Sequence, residues 1–136
     1  MFHTRPELAA DLDQENVGWL TTVSSSGQPQ SSVVWFLRDG EDLLIYSQAK
    51  TAKLNNIAAN PKIAFNLRGD THGDKVASFE GTAAIDRSPT PAHEVPAYLD
   101  KYEGEIRRLG WTPAEFATDY SVLIQVAIDR IRSWEG

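Results

Sequence analysis

The sequence predicts an α+β fold in which about six mainly antiparallel strands form a barrel or a strongly curled sheet, with three or four short helices. Segments rich in β-branched and aromatic residues recur along the chain, and polar turns of glycine, proline, serine and asparagine separate them, as is typical of strands. Fewer segments place apolar residues three or four positions apart, as helices do. Since 136 residues make one domain of ordinary size, these strands and helices share one domain.

Composition and charge exclude several classes of function. The chain, interpreted as a single domain over residues 1–136, is 41% hydrophobic and 24% charged, has a net charge of −6 and contains no cysteine. The acidic balance argues against a general nucleic-acid binder, which needs a basic face. The missing cysteine excludes disulfides and thiolate metal sites. No stretch reaches the ~20 apolar residues of a membrane span, so we expect a cytoplasmic protein that binds neither nucleic acid nor membrane.

The first third of the chain predicts one helix and two strands. A helix starts at Thr4–Glu7, where threonine can cap and proline suits the first turn, and it ends near Gln14. A strand follows over Val17–Val23, and a turn of serine, glycine and proline leads to a second strand, Gln30–Leu37. Both faces of this second strand are apolar in its second half. We therefore expect it to lie in the middle of the sheet or at an interface.

The next segment combines a hairpin with a helix start that carries lysines. A tight turn at Arg38–Glu41 leads to the strand Leu43–Tyr46, which runs into a polar helix start at Ser47–Lys53. The helix ends at Asn60–Pro61, and the strand Ile63–Leu67 follows. A helix start presents unpaired N–H groups and the positive end of the helix dipole, and lysine adds charge. The segment therefore predicts a phosphate site.

The second half of the chain predicts two longer strands around two helices. Val76–Ile85 has the composition of a strand, and Gly81 inside it indicates a bulge or a close backbone approach. Residues 92–109 show helical spacing, and a second helix with a capped start runs from Thr112 to about Thr118. Tyr120–Ile131 is predicted to be the last strand.

These residues resemble the split β-barrel flavin-binding superfamily that includes pyridoxamine 5′-phosphate oxidase. The resemblance covers nearly the whole chain, and the segments that carry it best are Gly27–Pro29, Val33–Phe36, Tyr46–Lys53 and Asn60–Pro61. Other segments are similar to an actinobacterial subgroup associated with the deazaflavin cofactor F420; they are Tyr98–Tyr102, Gly110–Pro113, Phe116 and Tyr120–Val122.

The resemblance implies a Greek-key split β-barrel that forms a homodimer with two cofactor sites at the interface. In such proteins, one subunit holds the phosphate and much of the ring, and its partner completes the walls. The strand and the segment that match the cofactor site give the candidates Ser32, Val33, Val34, Trp35, Ser47, Gln48, Lys50, Thr51 and Lys53, and Trp134 is added because an aromatic face suits a planar ring.

The resemblance also assigns roles within this set. Lys53 matches the phosphate lysine and Thr51 the phosphate hydroxyl, whereas Ala52 stands where the oxidases carry arginine, which weakens the anion site unless Lys50 compensates. The oxidases' C-terminal arginine and histidine, which hold the pyridoxal substrate, are not recognisable in Arg130–Trp134. We therefore do not expect vitamin B6 oxidation.

Each candidate residue also has a simpler interpretation. Lys50 and Lys53 are also consistent with solvated helix residues, and Gln48 and Thr51 with ordinary caps, although a cap position is also where an anion docks. Trp134 suits a ring-stacking wall supplied by the partner subunit, or a C-terminal aromatic that is exposed or anchored in the core. No metal site is expected, since the three histidines are scattered.

The expected function is that of an oxidoreductase in which reduced F420 transfers hydride to a small unsaturated or carbonyl acceptor. The cofactor supplies the reactivity in such chemistry, so no catalytic side chain is assigned. Two alternatives stay open: an FMN-dependent reductase or oxidase, and a non-catalytic module that binds a cofactor or a tetrapyrrole. The acidic tail of F420 calls for further basic residues, and the candidates by charge are Arg38, Lys62, Arg68 and Lys75.

Overall fold

A computed structural model describes residues 1–70, 72–73 and 75–135, except for the side chains of Lys75, Trp134 and Glu135. The described strands are β1 (Gly18–Val23), β2 (Pro29–Val34), β3 (Leu37–Asp39), β4 (Asp42–Ser47), β5 (Lys62–Asn66), β6 (Lys75–Asp86) and β7 (Val122–Glu135). The helices are α1 (Pro6–Gln14), α2 (Ala52–Ala59), α3 (Pro96–Arg108) and α4 (Pro113–Asp119), with short 3₁₀ turns at Phe2–Thr4 and Ala92–Glu94. The α+β prediction is confirmed.

All seven strands form one antiparallel sheet in the order β2-β1-β5-β6-β7-β4-β3. Its two edge strands, β2 and β3, are joined by Trp35 and Phe36 alone. Because consecutive Cα atoms are 3.8 Å apart, Val34 and Leu37 lie within about 11 Å of each other. The sheet must therefore curl until its two edges nearly meet, which produces the split barrel.

This topology corrects the prediction for the second strand. Gln30–Leu37 is not one strand, because pairing with β1 ends at Val34 and β3 begins at Leu37 on the opposite edge. The prediction that this strand lies in the middle of the sheet was also wrong, since β2 is an edge strand. The apolar residues Trp35 and Phe36 instead form the connection that closes the barrel.

The longest pair of strands, β6 and β7, contains the predicted irregularity. The register between them shifts between Glu80 and Gly81. A Cβ atom at Gly81 would collide with the carbonyl oxygen of Ala127. Both the bulge and the close backbone approach are confirmed, and glycine is the residue that allows them.

Several boundaries differ from the predicted ones. The helical spacing over 92–109 divides into a 3₁₀ turn and α3, because Val95 is extended before Pro96, the first residue of α3. The lysine-bearing helix begins at Ala52, since Ser47 still pairs with Val122 as the last residue of β4. The capped start of α4 is confirmed as a capping box between Thr112 and Glu115.

Two apolar clusters stabilise the fold. The larger lies inside the curled sheet and includes the fully buried Leu20, Phe36, Phe65, Phe79 and Ile124. The smaller lies beneath the two C-terminal helices and consists of Tyr46, Ala92, Tyr98, Tyr102, Ile106, Phe116 and Ala117. Among the described residues, no helix is long and apolar enough to cross a membrane.

Candidate functional site

A cleft of about 380 Å³ lies between the end of β2, the end of β4, the start of α2 and the two C-terminal helices. Its volume is within the range of small-molecule sites. The lining residues are Val33, Val34, Trp35, Tyr46, Ser47, Gln48, Thr51, Lys53, Tyr98, Leu109, Trp111, Phe116 and Tyr120. Hydroxyl, amide and ammonium groups come from the β4–α2 segment, whereas large rings come mainly from α3, α4 and their flanking residues.

The polar end of the cleft is built on the start of α2. Thr51 is the N-cap residue, with extended backbone, and its side chain makes no capping hydrogen bond. Its hydroxyl lies 3.4 Å from Ser47 Oγ, which donates to the carbonyl of Gln48 at 2.9 Å. The side chain of Gln48 donates to Asp119 Oδ2 at 2.7 Å, which ties this loop to α4. Among the described residues, no side chain thus caps the first N–H groups of α2, and these groups remain available to an anion.

Lys53 supplies the positive charge of the cleft. The residue is half-buried, and among the described residues it makes no ion pair or hydrogen bond. Burial lowers the pKa of its ammonium below the usual value, because desolvation disfavours the charged form. An anion beside Lys53 would offset this cost, so the lysine is suited to receive one.

A buried amide holds α2 in place against the sheet. Asn56 Nδ2 donates to Thr22 Oγ1 and to Gln30 Oε1, each at 2.9 Å. Asn56 and Thr22 are buried, and the bonds connect α2 to β1 and β2. Because Asn56 lies one helical turn beyond Lys53, this contact fixes the position of the lysine relative to Val33 and Val34.

The opposite wall of the cleft is aromatic. Trp35 stacks on Tyr102 with ring centroids 4.8 Å apart and an interplanar angle of 6°, and its ring centroid lies 5.4 Å from that of Phe116. Phe116 in turn stacks on Tyr120 at 4.6 Å, and Trp111 contacts both. Aromatic faces of this kind suit a planar heterocycle.

Helix α3 fixes the position of Trp35 through bonds to the backbone of the next residue, Phe36. Tyr102 Oη accepts from the backbone N–H of Phe36 at 2.8 Å and lies 2.7 Å from the carbonyl of Asn16. Lys101 Nζ donates to the carbonyls of Leu12 and Phe36, and burial lowers the pKa of this ammonium to about 8. Helix α3 therefore holds the connection that closes the barrel.

The cleft brings together most of the residues that the sequence suggested. Seven of the ten line it: Val33, Val34, Trp35, Ser47, Gln48, Thr51 and Lys53. Ser32 and the exposed Lys50 do not line it. The side chain of Trp134 lies outside the described residues. Cofactor binding by this set stays a prediction.

Sequence reasoning left five aromatic or apolar lining residues and Tyr46 out of the site. Tyr98, Leu109, Trp111, Phe116 and Tyr120 come from the region of α3 and α4 and share a cleft with Lys53 only after the chain has folded. Four of them, Tyr98, Trp111, Phe116 and Tyr120, lie in segments that sequence reasoning had already singled out. Those segments were the signal that could have placed them.

A second cleft, of about 580 Å³, has a different character. Its lining includes the carboxylates of Glu7, Asp11, Glu15 and Asp70. The guanidinium of Arg5, also in this lining, already pairs with Glu7 at 2.7 Å. Although this cleft is larger, its charge disfavours a phosphate, so we place the candidate site in the first cleft. Among the described residues, no cluster of histidine, aspartate or glutamate could hold a metal ion.

Comparison with known proteins identifies the family. The family description "Pyridoxamine 5′-phosphate oxidase" matches residues 4–135. A search of curated proteins finds no match. A solved structure named F420 reductase is 31% identical, with a TM-score of 0.70, and the match covers 89% of this chain and 92% of that one.

Two other solved structures show how widely the fold is used. The conserved hypothetical protein Rv2991 from Mycobacterium tuberculosis is 27% identical, with a TM-score of 0.77, and the match covers 96% of this chain and 83% of that one. The haem storage protein HutZ from Vibrio cholerae is 16% identical, with a TM-score of 0.64 and coverage of 93% and 92%, and shows likeness of fold alone. On the family match over almost its whole length, the chain belongs to the pyridoxamine 5′-phosphate oxidase family.

Proposed function

We propose that the protein is an oxidoreductase that uses reduced F420 to transfer hydride to a small unsaturated or carbonyl acceptor. The observation that carries this proposal is that one cleft is lined both by the half-buried ammonium of Lys53, which has no ion pair among the described residues, and by several aromatic rings. A phosphorylated planar cofactor needs a cationic group for its phosphate and an aromatic surface for its ring. The 31% identity to the F420 reductase, over most of both chains, supports the choice of cofactor.

The residues of the polar end fit a phosphate that carries little charge. Lys53, the hydroxyl of Thr51 and the free N–H groups of α2 would hold it. No arginine lines the described cleft, and Ala52 leaves vacant the position where the oxidases carry one. F420 links its phosphate to carbon on two sides, which leaves one negative charge, whereas the terminal phosphate of FMN carries nearly two. A single lysine matches F420 better.

The protein's part in the reaction is to bind, orient and shield the cofactor. When bound, F420 supplies the hydride. The polar end would fix one end of the molecule, and the stacked rings of Trp35, Phe116 and Tyr120 would set the plane of the heterocycle and exclude water. No side chain is required as a covalent nucleophile.

The acidic tail of F420 would extend beyond the cleft. Of the basic residues considered for it, Arg38 is bound to Asp13 in a two-point contact of 3.0 and 2.9 Å. Arg68 lies 3.7 Å from Glu15, and Lys62 is exposed at the start of β5. The side chain of Lys75 lies outside the described residues. Arg38 is therefore the least suited to the tail.

We further propose that a second copy of the chain completes the site. Trp19 and Val33 face each other across β1 and β2, and they are 45% and 51% exposed. Val33 also lines the cleft, so the exposed apolar pair lies at its rim. A partner that covers this pair would close the cleft on its open side.

A fluorescence titration tests the cofactor directly. We expect the purified protein to bind F420 more tightly than FMN. Micromolar or tighter binding of FMN with no detectable affinity for F420 would overturn the choice of F420.

Such a result would favour the second candidate, an FMN-dependent reductase or oxidase, which the family description itself supports. A protein that purifies yellow, with flavin absorbance, would indicate FMN. A haem-binding role has less support, because no histidine among the described residues lines the cleft to act as an axial ligand.

A further inference from the structure

Tyr98 lines the cleft, and its buried hydroxyl has no hydrogen-bond partner among the described residues. The residue lies in the first turn of α3 and is fully buried. Burial without a hydrogen bond costs a hydroxyl free energy, and such atoms are rare in native proteins. The hydroxyl therefore needs an explanation.

The surroundings of Tyr98 show that its neighbours are satisfied. The rings of Tyr46, Tyr102 and Phe116 lie 5.1, 5.0 and 6.0 Å from its own. The hydroxyl of Tyr46 donates to the carbonyl of Thr90 at 2.7 Å, and that of Tyr102 is bonded to the backbone of Asn16 and Phe36. A phenylalanine at position 98 would fill nearly the same volume without the cost of desolvating a hydroxyl. Packing alone thus does not account for tyrosine here.

We propose that Tyr98 Oη donates a hydrogen bond to an acceptor atom of the planar molecule that binds in the cleft, so that Tyr98 is a ligand-binding residue. The inference rests on the proposed function, which identifies the bound molecule as F420 or, as the alternative, FMN. Both carry ring carbonyl groups, which are acceptors of the right kind. In an apolar surrounding, one such bond fixes the orientation of a ring that stacking alone would leave free to rotate.

The electrostatic setting keeps Tyr98 a donor. Burial, together with the neighbouring tyrosines, raises the pKa of its hydroxyl above the usual value. The group therefore stays protonated at any working pH. Tyr98 acts by donating a hydrogen bond and not as a base.

The test compares Tyr98→Phe with Tyr102→Phe. Both remove one hydroxyl from a fully buried tyrosine, and the two residues lie one turn apart on α3. They differ in that the hydroxyl of Tyr102 has partners in the protein. Thermal unfolding is measured without ligand for both variants, and dissociation constants for F420 and FMN are measured for the wild type and Tyr98→Phe.

We expect Tyr98→Phe to melt at the wild-type temperature or above it, while Tyr102→Phe melts lower. We expect Tyr98→Phe to bind the cofactor roughly three- to tenfold more weakly, as for the loss of one hydrogen bond. A lowered melting temperature for Tyr98→Phe overturns the inference whatever the affinity, because its hydroxyl then has a partner, such as a buried water, in the free protein. Unchanged affinity also overturns it. If the wild type binds neither F420 nor FMN, the proposed function fails, and the inference fails with it.

Discussion

The ammonium of Lys53 is half-buried and has no counter-ion among the described residues. Replacing it by methionine keeps the apolar stem and removes the charge. Charge-assisted hydrogen bonds are worth roughly 1.5–3 kcal/mol, so we expect Lys53→Met to bind F420 about ten- to a hundredfold more weakly. Because the free protein also loses a desolvated charge, its melting temperature should not fall. Lys50→Met is the control, since Lys50 is exposed and outside the cleft lining, and it should change the affinity less than threefold.

The same lysine predicts how binding depends on pH. Its pKa is lowered by burial in the free protein, and a bound phosphate would raise it again. Binding therefore favours the protonated form. Since the phosphate is already ionised at neutral pH, affinity should fall as pH rises through the lowered pKa of Lys53. Titrations from pH 7 to 10 should show this fall in the wild type and its absence in Lys53→Met. Parallel curves for the two proteins would exclude Lys53 as the phosphate ligand.

At the level of single residues, sequence reasoning succeeded where the signal was local. Gly81 lies inside the predicted strand Val76–Ile85, and the bulge lies there. Thr112 and Glu115 form the capping box that their spacing indicates. Both features carry a local sequence signal, although the close approach at Gly81 is to Ala127 on β7. Tyr98 is the opposite case, because it was singled out by a buried hydroxyl that has no partner among the described residues, which only the packed structure reveals.

The helix α2 carries the polar end of the cleft, and a buried amide fixes its position. Asn56→Ala would remove the side-chain amide that donates hydrogen bonds to Thr22 and Gln30. The buried hydroxyl of Thr22 would then lose this bond. We expect a loss of about 1–3 kcal/mol in the free energy of unfolding, measured by urea denaturation, and weaker cofactor binding because Lys53 would shift. Asn55→Ala is the matched control, since Asn55 is the exposed neighbour on the same helix, and it should change stability by less than about 0.5 kcal/mol. Equal losses for the two variants would contradict this role.

At the level of elements, the errors have a common cause. The apolar run from Val33 to Leu37 looks continuous, yet the strand ends at Val34. What ends it is a set of bonds from Tyr102 and Lys101 to the backbone of Phe36, and Tyr102 is 66 residues away in sequence. The helix α2 likewise starts later than predicted because Ser47 pairs with Val122. A local pattern cannot contain either contact. The aromatic wall was missed for the same reason, since its position opposite Lys53 depends on the packing of α3 and α4.

At the level of the whole molecule, one chain leaves the cleft open beside an exposed apolar pair, Trp19 and Val33. If a second copy covers this pair, size-exclusion chromatography with light scattering should give a dimer at micromolar concentration. Trp19→Lys should then weaken the dimer roughly thirtyfold or more, as expected when an aromatic anchor of an interface is lost.

The F420 affinity of the same variants is a second, independent test of the proposed dimer interface. Trp19 does not line the cleft of its own chain, so F420 binding by Trp19→Lys that weakens in step with the loss of the dimer would indicate that the partner contributes to the site. Trp19→Phe keeps the apolar surface and should remain dimeric with nearly unchanged affinity. A wild-type protein that is monomeric throughout the micromolar range, and that still binds F420, would show that one chain holds the complete site.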